Sequence, residues 1–141
     1  MARIVVPGFP HHVTQRGNRR ADIFERGGDR EAYLRFLKKC CDKRGLSVWA
    51  YCLMSNHVHP VVVPGRESSL SEGLRDAHTV YAMYFNSRTQ MSGHVWQGRF
   101  FSCPLDDSHG PPQTTRPQKR YRIPENIEKI SSLSLKHSKT F

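Results

Sequence analysis

"LSVWAYCLMSNHVHPVVV", residues 46–63, decides the fold of this chain because it predicts two strands joined by a short turn. Residues 46–54 are rich in β-branched and aromatic side chains, and residues 57–63 are apolar and equally suited to a strand. Ser55 and Asn56 form a two-residue connection, which is typical of a β-hairpin. The stretch therefore predicts a hairpin near the middle of the sequence.

The sequence before the hairpin predicts one strand and one helix. Residues 11–17, "HHVTQRG", indicate a strand that ends at the Gly17-Asn18 turn signal. Apolar residues then recur at helical spacing in "DREAYLRFLKKCCDKRG". Asp29 is the predicted N-cap of this helix, and Gly45 stands where a C-terminal glycine belongs.

The sequence after the hairpin predicts a second helix and a last strand. Ser69 and Glu72 have the spacing of a capping box ahead of a helix over about residues 70–88. Residues 94–105, "HVWQGRFFSCPL", indicate the last strand. The order β-α-β-β-α-β predicts an α+β, ferredoxin-like fold, with an antiparallel sheet and both helices on one of its faces.

Composition limits the class of partner. The chain has 141 residues with 22 Lys+Arg against 12 Asp+Glu, a net charge of +10, which favours nucleic acid first and an anionic membrane surface second. No apolar run approaches the roughly 18 residues of a membrane helix, and the N-terminus lacks a signal-peptide pattern. Of the two anionic partners, we expect nucleic acid and no membrane. The four cysteines show no CxxC spacing. We expect a reduced, cytoplasmic protein.

Charge and composition change at Asp106-Asp107. Residues 1–107 hold 15 basic and 10 acidic side chains, whereas the much shorter segment 108–141 holds 7 basic and 2 acidic ones. That segment has three prolines by position 117 and little apolar content, so it cannot bury enough surface to offset its chain entropy. We therefore predict one domain over residues 1–107 and a basic, disordered tail over residues 108–141.

His57 and His59 lie two residues apart in a predicted strand, so their side chains should point to the same face. Neutral imidazole is the commonest protein ligand of divalent metals. Two ligands alone hold a metal poorly, and a third side chain or a substrate phosphate oxygen would be needed. The alternative is two polar residues on a solvated face, and the spacing alone does not decide between them.

Three stretches together resemble the REP-associated tyrosine transposases of the single-tyrosine HUH superfamily (histidine, hydrophobic, histidine). They are "AYCLMSNHVH", "HHVTQRGNRR" and "YFNSRTQMSGHVWQGRFFSCPLDD", and the resemblance runs from Ile4 to Asp107. It implies a ferredoxin-like domain that binds hairpin-forming single-stranded DNA. It also implies that His57 and His59 hold Mg²⁺ or Mn²⁺ against the scissile phosphate, while a tyrosine hydroxyl attacks that phosphate and forms a 5′-phosphotyrosyl intermediate.

The nucleophile is where this sequence departs from the family. The family's tyrosine lies in a segment of the form Arg-Tyr-x-x-x-Asn-Pro after the last strand, whereas "CPLDD" is followed here by the proline-rich tail. Tyr121 is the only tyrosine past that point, and it follows Arg120 and precedes Glu125 by one helical turn. Pro124 disfavours a regular helix there. Tyr121 is the candidate catalytic residue, and an ordinary tail tyrosine is the alternative.

Pro60 is a second departure, because the family usually has an apolar residue with a backbone N–H at this position. Proline removes a hydrogen-bond donor from the sheet and is tolerated mainly at edges and bulges. We expect it to shift His59 or to weaken the strand locally. The two departures suggest a truncated or frameshifted copy that keeps the fold and loses the catalytic helix.

Five side chains are candidate DNA contacts. Three arginines flank the Gly-Asn turn, where they could engage phosphates, and the segment "VWQGRF" adds an amide and a further guanidinium. A solvated charge cluster is the alternative, and the resemblance favours DNA. The candidates are Arg16, Arg19, Arg20, Gln97 and Arg99.

Three functions compete at this point. The first is a transposase-type enzyme that cleaves and rejoins DNA with a divalent metal, and the second is a non-catalytic single-stranded DNA-binding relative that lacks the nucleophile. A binder of structured RNA ranks last, because no exposed aromatic pair is evident on central strands. We expect binding of single-stranded or hairpin DNA with little or no cleavage, by a monomer or a homodimer.

Overall fold

Four strands and two helices follow one another in the predicted order in the computed structural model, which describes residues 3–105. They are β1 (His11–Arg16), α1 (Gly27–Lys43), β2 (Leu46–Met54), β3 (His57–Pro64), α2 (Ser69–Thr89) and β4 (Phe101–Pro104). The strands form one antiparallel sheet in the order β2-β3-β1-β4. The predicted α+β, ferredoxin-like fold is confirmed, while the predicted tail and Tyr121 lie outside the described residues.

Both helices cover the same face of the sheet, because one buried cluster contains side chains from each helix and from the central strands. Burying an apolar side chain of this size stabilises the fold by about 1.5–3 kcal/mol. The cluster includes Val13, Val58 and Val62 of the sheet, Tyr33 and Leu37 of α1, and Leu70, Leu74 and Tyr81 of α2. The alternate residues of β1 and β3 consequently point to the other face of the sheet.

Asp29 accepts hydrogen bonds at the start of α1, but the prediction that it is the N-cap residue is wrong. The helix begins at Gly27 with Arg26 as N-cap, which places Asp29 in the first turn. Its Oδ2 accepts hydrogen bonds from the backbone N–H groups of Glu25 (2.9 Å) and Arg26 (3.0 Å). The carboxylate therefore caps the helix by reaching back from inside it, which the sequence spacing did not distinguish from an ordinary N-cap.

The predicted capping box of Ser69 and Glu72 does not form. Ser68 is the N-cap of α2 and makes no side-chain cap hydrogen bond. Ser69 is already buried inside the helix, where its Oγ accepts from the N–H of Arg66 (3.3 Å). The Glu72 carboxylate instead accepts from Nη2 of Arg66 (3.2 Å), so a nearby cation takes the place of the backbone donor.

The last strand is shorter than the predicted range of 94–105. Only Phe101–Pro104 forms β4, and Trp96 makes a single isolated bridge with Gly17. Gly98, between the two pairings, has φ +60°, a left-handed conformation that interrupts an extended strand. The segment before β4 therefore runs along β1 as an irregular chain.

Of the two effects expected of Pro60, the structure shows a local loss of pairing and no shift of His59. β3 is continuous and central in the sheet, and Pro60 is buried opposite Tyr51 of β2. Against β1, pairing is interrupted beside the proline, but Val58 and Val61 keep the same register on either side of it. The missing N–H therefore costs pairing locally without moving the neighbouring histidines.

Candidate functional site

The sheet face opposite the helices carries a group of polar side chains, which we call the histidine face. It consists of His12, Thr14 and Arg16 from β1 and His57 and His59 from β3. In the antiparallel register, Arg16 lies directly opposite His57. His12 lies opposite Val61, which is two residues after His59 and on the same face. Residues far apart in the sequence are thereby brought to one surface.

The two histidines of the hairpin are neighbours on this face. Their ring centroids are 4.6 Å apart, and the rings are nearly perpendicular, with an interplanar angle of 77°. Nδ1 of His57 lies 2.6 Å from Oδ1 of Asn56, which is an acceptor. With Nδ1 donating to that oxygen, a neutral His57 presents the lone pair of Nε2.

His12 is a third imidazole in the group, and sequence reasoning missed it. Its Nε2 lies 3.1 Å from Nδ1 of His59, and the two rings are stacked with centroids 5.2 Å apart. The hydroxyl of Thr14 lies 3.4 Å from the same Nδ1. The signal was present in the His11-His12 pair at the start of β1, but only the register of β1 against β3 shows which of the two meets His59.

Burial keeps these imidazoles neutral. Burial first, and then the neighbouring His57 and His12, lower the pKa of His59 to about 4. Burial and the charge of Arg16 also lower the pKa of His57. Both rings are therefore in the form that binds metals near neutral pH.

The histidine face fits part of a metal site. With Nδ1 of His57 and of His59 engaged by Asn56 and His12, one nitrogen of each ring remains suited to a divalent ion. Within residues 3–105, no group of three or more His, Cys, Asp or Glu side chains is placed to hold a metal ion. The described residues thus supply two nitrogen ligands, and the others would come from water, a substrate oxygen or another part of the chain.

Three of the predicted DNA contacts lie at the end of β1 beside the hairpin turn. Arg16 ends the strand, and Arg19 and Arg20 follow in a short 3-10 turn where both have positive φ. The backbone N–H of Gly17 donates to the carbonyl of Asn56 (2.8 Å), which fixes the turn against the hairpin. The arginines and His57 consequently share one end of the sheet.

The turn after β1 leaves no room for a side chain at Gly17. A Cβ at this position would lie 2.4 Å from the carbonyl oxygen of Ala21 and 2.9 Å from Cγ2 of Ile23. Both distances are shorter than real Cβ contacts, so any side chain here would force residues 21–23 to move.

The other two predicted contacts, Gln97 and Arg99, lie beyond the edge of β1. The N–H of Gln97 donates to the carbonyl of Arg16 (2.9 Å), so this residue stays close to the end of the strand. Arg99 instead lines a groove on the helix side of the sheet, beside α2. The structure therefore separates Arg99 from the histidine face.

No tyrosine among residues 3–105 lies on the histidine face. Tyr33 and Tyr81 are fully buried under the helices, and burial raises the pKa of both phenols. Tyr84 donates its hydroxyl hydrogen to Oδ1 of Asp29 (3.0 Å). Tyr51 pairs with Pro60, which places it on the opposite face from the neighbouring His59.

Two solved structures share this fold. One is a REP-associated tyrosine transposase bound to a REP hairpin, with a TM-score of 0.59 and 17% identity, over 76% of this chain and 62% of that one. This chain thus spans less than two thirds of that protein's length. The other is a Deinococcus radiodurans R1 protein described as a transposase, with a TM-score of 0.59 and 13% identity, over 76% of this chain and 86% of that one. At these identities the likeness shows the fold alone.

The family is shown by the sequence comparison. No curated protein matches the chain. Residues 6–115, most of the chain and all of the histidine face, match the family model described as "Transposase IS200 like". This match covers the whole sheet, both helices and the paired histidines of β3. The chain therefore belongs to the IS200-like transposase family.

Proposed function

We propose that this chain is a transposase-type protein that binds single-stranded or hairpin DNA and presents a divalent metal, Mg²⁺ or Mn²⁺, to one of its phosphates. His57 and His59, the HUH pair, would hold the metal. The observation that carries the proposal is that Asn56 and His12 engage Nδ1 of these rings, which leaves both Nε2 atoms for an ion. The similarity to a transposase bound to a hairpin supports DNA as the partner.

The side chains around the pair have complementary roles in this proposal. Arg16, opposite His57, would bind a phosphate oxygen and orient the backbone of the strand. Asn56 holds His57 with Nδ1 donating, and His12 would hold His59 in the tautomer that leaves Nε2 free. The bound metal would supply Lewis-acid polarisation of the phosphoryl group.

Cleavage depends on a nucleophile that the described residues do not supply. The four tyrosines of residues 3–105 are buried, bonded to a carboxylate or on the opposite face of the sheet. Tyr121 is therefore the remaining candidate for the phosphotyrosyl linkage. The proline-rich sequence after "CPLDD", in which Pro124 disfavours a helix around Tyr121, favours the second candidate function, a DNA-binding relative that does not cleave. Alignment of a nucleophile can lower a barrier by about 7–11 kcal/mol.

Metal binding is tested by titrating Mn²⁺ into the wild type and the double variant His57→Ala/His59→Ala, with electron paramagnetic resonance as the readout. We expect the wild type to bind one ion more weakly than a site with three protein ligands, and the double variant to lose this binding. His94→Ala, which removes an exposed histidine elsewhere, is the control and should behave as the wild type. Indistinguishable curves for the wild type and the double variant would disprove the assignment.

DNA binding and cleavage are tested on a labelled hairpin with a single-stranded extension. We expect a shifted complex whose affinity falls steeply with salt, because neutralising phosphates releases counterions, and no covalent adduct with Mn²⁺ on a denaturing gel. An adduct that disappears in Tyr121→Phe and persists in Tyr51→Phe would identify a working transposase. Failure to bind at low salt would rule out the DNA-binding function.

The helices of residues 3–105 are not long and apolar enough to cross a membrane. We propose that the chain binds DNA in the cytoplasm, as a monomer or a homodimer.

A further inference from the structure

A groove of about 910 Å³ lies on the helix side of the sheet, away from the histidine face. One wall is α2, and the other is the segment 93–100 that runs along β1. Gln15 and Asn18 belong to its lining, so the groove reaches the end of β1. Its volume lies within the roughly 300–1,000 Å³ range of small-ligand sites, too small for a duplex.

The charge of the groove is entirely positive. Its lining includes Arg3, Arg75 and Arg99 and contains no Asp or Glu. Within residues 3–105, no carboxylate oxygen lies within 4 Å of the guanidinium nitrogens of Arg3 or Arg99, whereas Arg75 has an exposed contact with Asp76 at 3.5 Å. Arg3 contacts Phe100, the residue next to Arg99 in the sequence. Burial first, and then the charge of Arg99, lower the pKa of the Arg3 guanidinium. Two neighbouring guanidinium groups without a counter-ion favour an anion such as phosphate.

Arg3 is held in position for this role. Its Nη2 donates to the carbonyl of Phe100 (2.7 Å), and its guanidinium carbon lies 3.7 Å from the centre of the Phe100 ring. A guanidinium fixed in this way loses little side-chain entropy when it binds a further group.

The rest of the lining combines flat apolar groups with amides. Trp96 and Phe100 are partly buried, and Met83 is 68% exposed. Asn18 and Asn86 also line the groove, and Nδ2 of Asn86 donates to the carbonyl of Gly93 (3.0 Å). Aromatic and thioether surfaces suit stacked bases, and amides suit their polar edges.

We propose that this groove binds a short single-stranded segment of nucleic acid, with a phosphate between Arg3 and Arg99 and a base against Met83 and Trp96. The proposal rests on the proposed function in taking the strand to be DNA. Gln97, whose N–H is bonded to the carbonyl of Arg16, connects the groove edge to the arginine opposite His57. A strand bound in the groove would therefore pass around the end of β1 toward the histidine face.

The experiment measures fluorescence anisotropy of the full chain with a labelled single-stranded octanucleotide, a blunt hairpin, and the same hairpin with an eight-nucleotide extension. Arg99→Ala should weaken binding of the octanucleotide and the extended hairpin about tenfold, as expected for a lost charge-assisted phosphate contact. It should also lower the salt slope by about 0.7. The blunt hairpin should be affected far less.

Two matched controls separate the groove from net charge and from surface polarity. Arg35→Ala removes the same charge from an exposed position on α1 and should leave all three affinities within about twofold of the wild type. Met83→Glu should weaken binding of the octanucleotide. Met91→Glu, at a residue equally exposed (67%) and outside the lining, should have a much smaller effect. Circular dichroism melting confirms that each variant is folded.

The outcomes are distinct. If Arg99→Ala and Met83→Glu bind the extended hairpin as tightly as the wild type, the groove proposal is wrong and the proposed function stands. If the octanucleotide and the extended hairpin bind and are sensitive to these variants, but the wild type and His57→Ala/His59→Ala bind Mn²⁺ equally, the groove proposal stands and the proposed function fails. If thymidine 5′-monophosphate binds as tightly as the octanucleotide, the site is a nucleotide pocket, which overturns the strand proposal.

Discussion

At the scale of single residues, the contact between His12 and His59 sets the chemistry of the histidine face. The two facing nitrogens, 3.1 Å apart, can share one proton. For the Nε2 atom of a neutral His59 to offer its lone pair, Nδ1 must carry that proton and donate it to His12. In the proposed metal site His12 is thus a positioning residue, and removing partners of this kind typically changes metal affinity about 10- to 100-fold.

His12→Leu should weaken Mn²⁺ binding about tenfold or more, because it removes the acceptor for His59 and keeps an apolar group of similar size. His12→Gln should retain most of the affinity, since a glutamine oxygen can take the place of the imidazole Nε2 as acceptor. Thr14→Val removes a longer contact of 3.4 Å and should have a small effect. Electron paramagnetic resonance titration measures all three, and equal affinities for the Leu and Gln variants would contradict the positioning role.

At the scale of secondary-structure elements, Asp29 joins the two helices. It is 0% exposed and accepts from the backbone at the start of α1, from Tyr84, and from Nη2 of Arg88 of α2 (2.7 Å). Burial of the carboxyl opposes ionisation, but the hydrogen bonds from the backbone of Arg26 and Glu25, from Tyr84 and from Arg88 outweigh it and lower the pKa of Asp29. One carboxylate therefore caps a helix and pairs with the cation of its neighbour.

Asp29→Asn should lower the free energy of unfolding by about 2 kcal/mol, because the cap is weakened and Arg88 loses its buried partner. The pKa of Asp29 is lower in the folded state than in the unfolded state. The stabilisation that its ionised carboxylate provides is therefore fully present above the unfolded-state pKa and is lost as pH falls through the folded-state pKa. The difference between wild type and variant should shrink accordingly at low pH. Urea denaturation measures both effects.

The matched control for Asp29 is Asp42→Asn, on the same helix. Asp42 pairs with Lys38 at 3.3 Å on the surface, where its side chain is 63% exposed. Exposed pairs of this kind contribute about 0–1 kcal/mol. A loss of stability in Asp42→Asn as large as in Asp29→Asn would show that burial of the carboxylate is not the cause.

At the scale of the whole molecule, the fold buries histidines in their neutral form on both sides of the sheet. His78 of α2 is the clearest case on the helix side, where burial lowers its pKa to about 3. Its Nε2 lies 2.9 Å from the hydroxyl of Tyr33, and its ring stacks on Trp96 with centroids 4.5 Å apart. Burial likewise lowers the pKa of His11 and His12 in β1. Protonation of these rings thus opposes folding.

Stability should fall as pH decreases from about 6.5, because unfolded histidines bind protons there while the folded ones stay neutral. The contribution of His78 is fully present above its unfolded pKa and is lost progressively toward its folded pKa of about 3. His78→Gln should make the dependence between pH 6 and 4 shallower by about 1.4 kcal/mol per pH unit. Urea midpoints across this range measure it. An unchanged slope in His78→Gln would contradict the prediction.

Local patterns in the sequence determined the order of the elements and the placement of His57 and His59 on one strand face. Alternation within a strand is a property of neighbouring residues, so no tertiary information was needed. The resemblance of the same segments to a family also gave the histidines their candidate role. Local spacing was less informative at the start of α2, where Arg66, three and six residues before Ser69 and Glu72, offers both of them an alternative donor.

The tertiary structure alone decided which side chains complete each site. His12 contacts His59, which is 47 residues away in the sequence, and Arg88 pairs with Asp29, which is 59 residues away. Arg99 was predicted from the sequence as a DNA contact, but its place beside Arg3, in a groove separate from the histidine face, came from the fold. Strand register and helix packing set these pairings, and both depend on the whole core, because a shift by one residue would turn every side chain of a strand to the other face.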